Sequence, residues 1–201
     1  MHKLLDQYKN KKSEIKKRLL EFERAGKGSE KDIFSELCFC ILTPQSKAVY
    51  CDKAVKELKR SGLLLKGTKA SVKSLLKGVR FPNNKASYLI SARRCFPPKI
   101  DTDNPINARE WLVKNIKGIG YKEASHFLRN IGYGKDMAIL DVHILKNLKK
   151  AGVLKKIPKT ISKKAYFAIE DRMRRLSSRL SIPLDELDLL FWSRETGYVF
   201  K

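Results

Sequence analysis

The sequence predicts an all-α protein made of two small helical lobes with a cleft between them. Three observations carry this. Apolar residues recur at helical spacing along nearly the whole chain. No run alternates apolar and polar residues as a half-buried strand does. About ten helical segments in 201 residues are too many for one core to hold, so they divide between two. The expected partition is a central lobe over residues 31–140, and a second lobe formed by residues 1–30 with 141–201.

Each element has its own signal. Leu4, Leu5, Tyr8, Ile15, Leu19 and Phe22 recur at helix spacing until Gly26 and Gly28 stop the run. Ser29 opens S-E-K-D, a capping box with Asp in place of Glu, ahead of a wide apolar stripe from Ile33 to Leu42. Thr43-Pro44 breaks that helix. Ala48, Val49, Ala54, Val55 and Leu58 define the next one, closed by Gly62. Short helices are expected over Ser71–Lys77 and Lys85–Cys95, the second ended by Pro97-Pro98. Asp103-Asn104-Pro105 sets a cap with proline at the first helical position, and Ile106, Trp111, Leu112 and Val113 follow. After the turn K-G-I-G comes a helix with Ala124, Phe127, Leu128 and Ile131. Asp141 caps another that ends at Gly152, and two more run over Ser162–Leu180 and Pro183–Thr196 before a tail to Lys201.

Composition narrows the class. A hydrophobic share of 42% supports packed cores and excludes disorder of the whole chain. Lys and Arg number 44 against 21 acids, a net charge of +23, which suits a polyanionic partner because basic side chains displace counterions from phosphates. The alternative is a lysine-rich surface adapted to salt or heat. Leu4 and Leu5 sit among polar residues, which gives no signal-peptide core, and no apolar run approaches the ~20 residues of a membrane span. Cys38, Cys40, Cys51 and Cys95 form no CxxC pair and have no nearby His, which speaks against a zinc or iron–sulfur site. Cys38, Cys40 and Cys51 read as small packed hydrophobes in a reducing compartment. The expectation is a cytoplasmic monomer, associated with the nucleoid when bound to DNA and with no membrane partner.

The chemistry concentrates in Leu112–Ala124, L-V-K-N-I-K-G-I-G-Y-K-E-A. Gly118 and Gly120 flank the apolar plug Ile119, and without a Cβ their amides can approach a phosphate oxygen at the positive end of the following helix. Such a contact positions a strand without reading its bases. A plain helix–helix turn explains the glycines equally well. Lys122 lies in the first turn of that helix, where the partial positive charge disfavours an ammonium and favours a nucleophilic amine. Asp141 follows nineteen residues later in A-I-L-D-V-H, placed to face developing positive charge on a sugar or to serve as an N-cap.

G-I-G-Y-K-E-A followed by L-D-V-H resembles the helix–hairpin–helix glycosylases of base-excision repair, whose Lys and Asp are the catalytic pair. The turn Thr43-Pro44-Gln45-Ser46 matches the family turn that carries a Gln. The endonuclease III and adenine-glycosylase branches have a C-terminal cluster of four cysteines, and this chain lacks it. Its short length, R-F-P-N-N-K-A (Arg80–Ala86) and the ending D-L-L-F-W-S-R-E-T-G-Y-V-F-K (Asp188–Lys201) look like the compact 8-oxoguanine DNA glycosylase class of archaea and some bacteria.

The resemblance implies a bifunctional enzyme acting on double-stranded DNA with a damaged base. Lys122 attacks C1′ of a flipped-out nucleotide to form a Schiff base, Asp141 stabilises the cationic sugar, and β-elimination nicks the strand. Gln45 fills the vacated space, and His143 contacts the backbone. The expected lesion pocket combines Trp192, Phe81, Asp188, His126 and the terminal carboxylate of Lys201. Asp188, Trp192 and Glu195 stand at i, i+4 and i+7 and share a helix face. No cofactor and no catalytic metal are implied, only a structural monovalent cation at the carbonyls of Lys114, Ile116 and Ile119. The competing expectations are a related glycosylase for oxidised pyrimidines or mismatched thymine, and a non-catalytic nucleic-acid-binding module.

Overall fold

The computed structural model describes residues 2–96, 100, 101 and 103–200. Among them are eleven α-helices, one 3-10 turn and no strand. The helices are α1 (His2–Gly26), α2 (Glu30–Leu42), α3 (Ala48–Arg60), α4 (Leu63–Lys66), α5 (Lys69–Leu75) and α6 (Pro82–Ala92), then α7 (Pro105–Asn115), α8 (Tyr121–Asn130), α9 (Val142–Lys150), α10 (Lys163–Leu180) and α11 (Leu184–Thr196).

Two apolar cores form. The first gathers buried residues between Phe34 and Met137, with Phe34, Phe39, Leu112 and Phe127 sealed inside. The second joins Leu4, Tyr8, Ile15 and Phe22 of α1 to residues from Ala138 to Val199. The chain leaves one core and enters the other between Met137 and Ala138. The long α1 returns to the C-terminal helices because its apolar stripe finds its cover there, and the Tyr8 hydroxyl donates to Glu186 Oε2 at 2.6 Å.

Local caps set the helix starts. Ser29 and Asp32 form the reciprocal box at α2, and Lys59 reaches Asp32 from α3. The Asn104 side chain accepts from Asn107 N at 3.1 Å, ahead of Pro105 at the first position of α7. The helix expected from Lys85 begins three residues earlier, since Phe81 turns the chain with φ 56° and Pro82 suits a first helical position. It ends in a 3-10 turn over Arg93–Cys95; the stop expected at Pro97-Pro98 lies outside the described residues. The sequence pattern did not foretell α4, because four residues carry too little periodicity to read. Among the described residues, no helix is long and apolar enough to cross a membrane.

Candidate active site

The bend between α7 and α8 takes its form from one glycine more than from two. Gly118 has φ 86°, and a Cβ there would come within 2.6 Å of the Tyr88 ring. Gly120 is extended, with φ −104°, and needs no such freedom. Its N–H donates to Glu123 Oε2 at 3.2 Å, so a side chain of the same helix already engages the amide expected to meet a phosphate. Ile119 is buried as the expected plug, and Ile116 is buried beside it. Lys117 and Gly118, between them, are exposed. The carbonyls of Lys114, Ile116 and Ile119 are the oxygens at which a monovalent cation is expected, and carbonyl oxygen is a donor that hard cations accept. Ile116 O also accepts from Ile119 N at 3.3 Å, which leaves its second lone pair.

At the seam between the lobes lies a cavity of about 1070 Å³. Lys122, on the first turn of α8, and Asp141, at the start of α9, both line it. Gln45, His126, His143 and Trp192 line it too. These six residues come from four separate stretches of chain. His126 is buried one turn below Lys122, its ring edge-on to Phe39 at 5.6 Å.

The Lys122 ammonium stands 3.6 Å from Glu123 Oε1, beyond hydrogen-bond distance, on a side chain that is 22% exposed. Glu123 therefore caps the helix with one oxygen and faces the amine with the other. The sequence reading missed it as a wall residue, although its place three after Gly120 is a capping position.

Asp141 is the N-cap of α9 and also lines the cavity. Its Oδ1 accepts from His143 N at 2.8 Å and Ile144 N at 2.9 Å, while Oδ2 takes part in neither cap. The segment leading to it is pinned at Ala138 and Ile139. Ala138 N donates to Glu170 Oε2 at 2.9 Å, and the Tyr166 hydroxyl donates to Ala138 O at 2.5 Å. Ile139 N donates to Asp188 Oδ2 at 3.0 Å. Both carboxylates belong to buried ion pairs that cross from one core to the other. Glu170 of α10 takes a bidentate contact from Arg109 of α7, and Asp188 of α11 takes Arg129 of α8 at 3.1 Å.

Asp188 is thus removed from the lesion pocket. It is 2% exposed and outside the cavity lining, and burial pushes its carboxyl up to about 7 against the pull of Arg129. A shared helix face was true but insufficient, since the i+4 turn of α11 reaches the cavity while the turn below it reaches the seam. Glu195 is also elsewhere, bound to Lys150 at 2.7 Å and to Asn147 at 3.1 Å. Phe81 stands half-exposed beside Arg80 and outside the lining, because its positive φ turns it away as α6 begins. Trp192 does face the cavity, with Tyr198 edge-on at 5.5 Å and Phe200 stacked at 6.3 Å. The tail is held rather than frayed: Val199 is buried and its N–H donates to Glu14 Oε1 at 3.3 Å. Lys201 lies outside the described residues.

An all-α, two-core protein with a lysine and a pinned aspartate at an inter-lobe cavity, beside a helix–hairpin–helix bend, has the architecture of base-excision DNA glycosylases. The family model described as 8-oxoguanine DNA glycosylase matches residues 15–182. The 8-oxoguanine DNA glycosylase/AP lyase of Fusobacterium nucleatum is 47% identical, with 96% of this chain and 94% of that protein aligned. The Methanocaldococcus jannaschii 8-oxoguanine glycosylase/lyase, solved with a 15mer DNA containing 8-oxoguanine, superposes with TM-score 0.91 at 40% identity, over 99% of this chain and 98% of that one. The 8-oxoguanine DNA glycosylase of Thermotoga maritima gives 0.92 at 35% identity, over 100% and 97%. The chain belongs to the 8-oxoguanine DNA glycosylase family.

Proposed function

We infer that this protein excises 8-oxoguanine from duplex DNA and then cuts the abasic strand, with Lys122 as the nucleophile. The observation that carries the reading is the meeting of Lys122 and Asp141 on one cavity that also presents Gln45 and Trp192. Relatives named for both activities, aligned over nearly the whole chain, support it.

The glycosidic carbon is buried inside a stacked duplex, so the nucleotide must first leave the stack. Gln45 enters the space it vacates, and the base enters the cavity to stack on Trp192. As the C1′–N9 bond breaks, its electron pair leaves with the base and the sugar becomes cationic. The carboxylate of Asp141 faces that charge, held by a main chain that does not need to reorganise. The Lys122 ammonium gives a proton to the departing base, and the resulting amine bonds to C1′; a second nitrogen proton passes to the ring oxygen as the ring opens to an imine, and loss of a C2′ proton expels the 3′ phosphate. Water then hydrolyses the imine and frees the lysine. A monovalent cation at the carbonyls of Lys114, Ile116 and Ile119 would add positive charge where a DNA phosphate meets the bend. On this reading the enzyme acts as a monomer in the cytoplasm, on nucleoid DNA.

Borohydride reduction tests the central step. Wild-type protein is expected to be trapped covalently on DNA containing 8-oxoguanine, and Lys122→Gln to leave no trapped species while still binding. Binding by the wild type without trapping on any damaged substrate would instead identify a non-catalytic DNA-binding module.

A further inference from the structure

The motif R-F-P-N-N-K-A contributes one residue, Lys85, that the chemistry above does not use. Its side chain is 4% exposed, and its Nζ donates to Leu42 O at 2.6 Å, Pro44 O at 2.7 Å and Ser46 Oγ at 2.8 Å. Three acceptors consume all three N–H donors of an ammonium, so this lysine is a fixed cation and not a spare nucleophile. The acceptors all belong to the end of α2 and the turn after it. Ser46 Oγ in turn accepts from Arg80 N at 3.0 Å, which ties the start of the same motif to the same turn. Cys51 Sγ closes the other side by donating to Leu42 O at 3.2 Å.

Gln45 stands inside this ring of bonds. It is exposed, lines the cavity, and has φ 55°, a left-handed conformation that a non-glycine residue holds only when its surroundings impose it. A buried ammonium bonded on both sides of Gln45 is such an imposition. At the C-terminal end of α2 it also offsets the negative end of the helix.

We propose that Lys85 is a positioning residue for base flipping: it staples the Thr43–Ser46 turn so that Gln45 is preformed as the wedge that replaces the extruded base. The proposal rests on the glycosylase reading and on Gln45 as the space-filling residue. It separates flipping from chemistry. A paired lesion must be displaced against stacking and pairing, whereas an abasic sugar has no base to displace.

The test compares single-turnover base release from duplex 8-oxoguanine·cytosine with borohydride trapping on a preformed abasic duplex. Lys85→Met is expected to lower the ratio of the first rate to the second by about ten- to a hundredfold, the effect of losing bonds to a charged donor. In a Gln45→Ala background the same substitution is expected to cost no more than about twofold further, because both changes remove one function. An equal fall in both rates, or full additivity with Gln45→Ala, overturns the proposal. Should Lys85→Met fail to fold, Ser46→Ala removes one acceptor and leaves the charge in place. It is expected to lower the ratio in the same direction, and an unchanged ratio overturns the proposal. A wild type that neither releases base nor traps refutes the glycosylase reading itself, which separates that failure from this one.

Discussion

Asp141 and Asp188 both accept main-chain N–H groups at the seam between the lobes, yet they face different surroundings. Asp141 satisfies the start of α9 with one oxygen and opens on a cavity of about 1070 Å³. Asp188 commits one oxygen to Arg129 and the other to Ile139 N, and is 2% exposed. The two share a four-residue segment: the inner acid, together with Glu170, holds the main chain that aims the outer one. The cavity side of the seam keeps charge available for reaction, and the inner side spends charge on rigidity. A buried ion pair is a weak source of net stability but is costly to break, which suits a positioning role.

The comparison breaks most sharply at the inner acid. Asp188→Ala leaves Arg129 buried without its carboxylate and is expected to destabilise by about 3–5 kcal/mol in urea or guanidinium unfolding. The protein that remains folded is expected to keep its discrimination between 8-oxoguanine and guanine; a changed ratio would return Asp188 to lesion recognition. The outer acid has the opposite signature. Asp141→Asn keeps a capping oxygen, so its thermal midpoint is expected to stay near wild type. Its base release is expected to slow by about 10²–10³-fold at unchanged DNA affinity, the scale of losing one preorganised electrostatic contact. Trp192→Ala should weaken capture of the flipped base by about 1–3 kcal/mol, read as slower excision on limiting enzyme with little change in AP trapping.

The smallest effect lies far from the seam and serves as its control. Lys59 and Ser29 hold the Asp32 carboxyl down at about 2. A depressed carboxylate stabilises the folded state above its ordinary value, and that contribution disappears as pH falls through about 2. Wild-type thermal stability should therefore drop between about pH 4 and pH 2, and Asp32→Asn should flatten that drop without altering base release.

Legibility in the sequence followed locality. The capping box at Ser29, the proline start of α7, the hairpin and the cap at Asp141 each involve residues within a few positions of one another, and each formed. Lys122 and Asp141 were legible for the same reason, since a bend and a helix start are local events. Glu170 gave no signal and Asp188 pointed to the lesion pocket instead, because their arginines lie 61 and 59 residues away. Phe81 was misplaced by a single positive φ that no residue type announces. Lys85 carries no local sign of its task, since the carbonyls it binds are about forty residues distant and belong to main chain.

Sequence alone determined the helical class, the charge that calls for a polyanion, and the bend that carries an amine in the first turn of α8. Those follow from side-chain spacing and backbone preference, which act over one or two helical turns. The tertiary structure decided which acid meets solvent and which is locked, how α1 joins the C-terminal helices, and what holds Gln45 in its left-handed turn. Burial and the pairing of buried charge depend on what packs against a face, and residues far apart in the chain supply that answer only once it has folded.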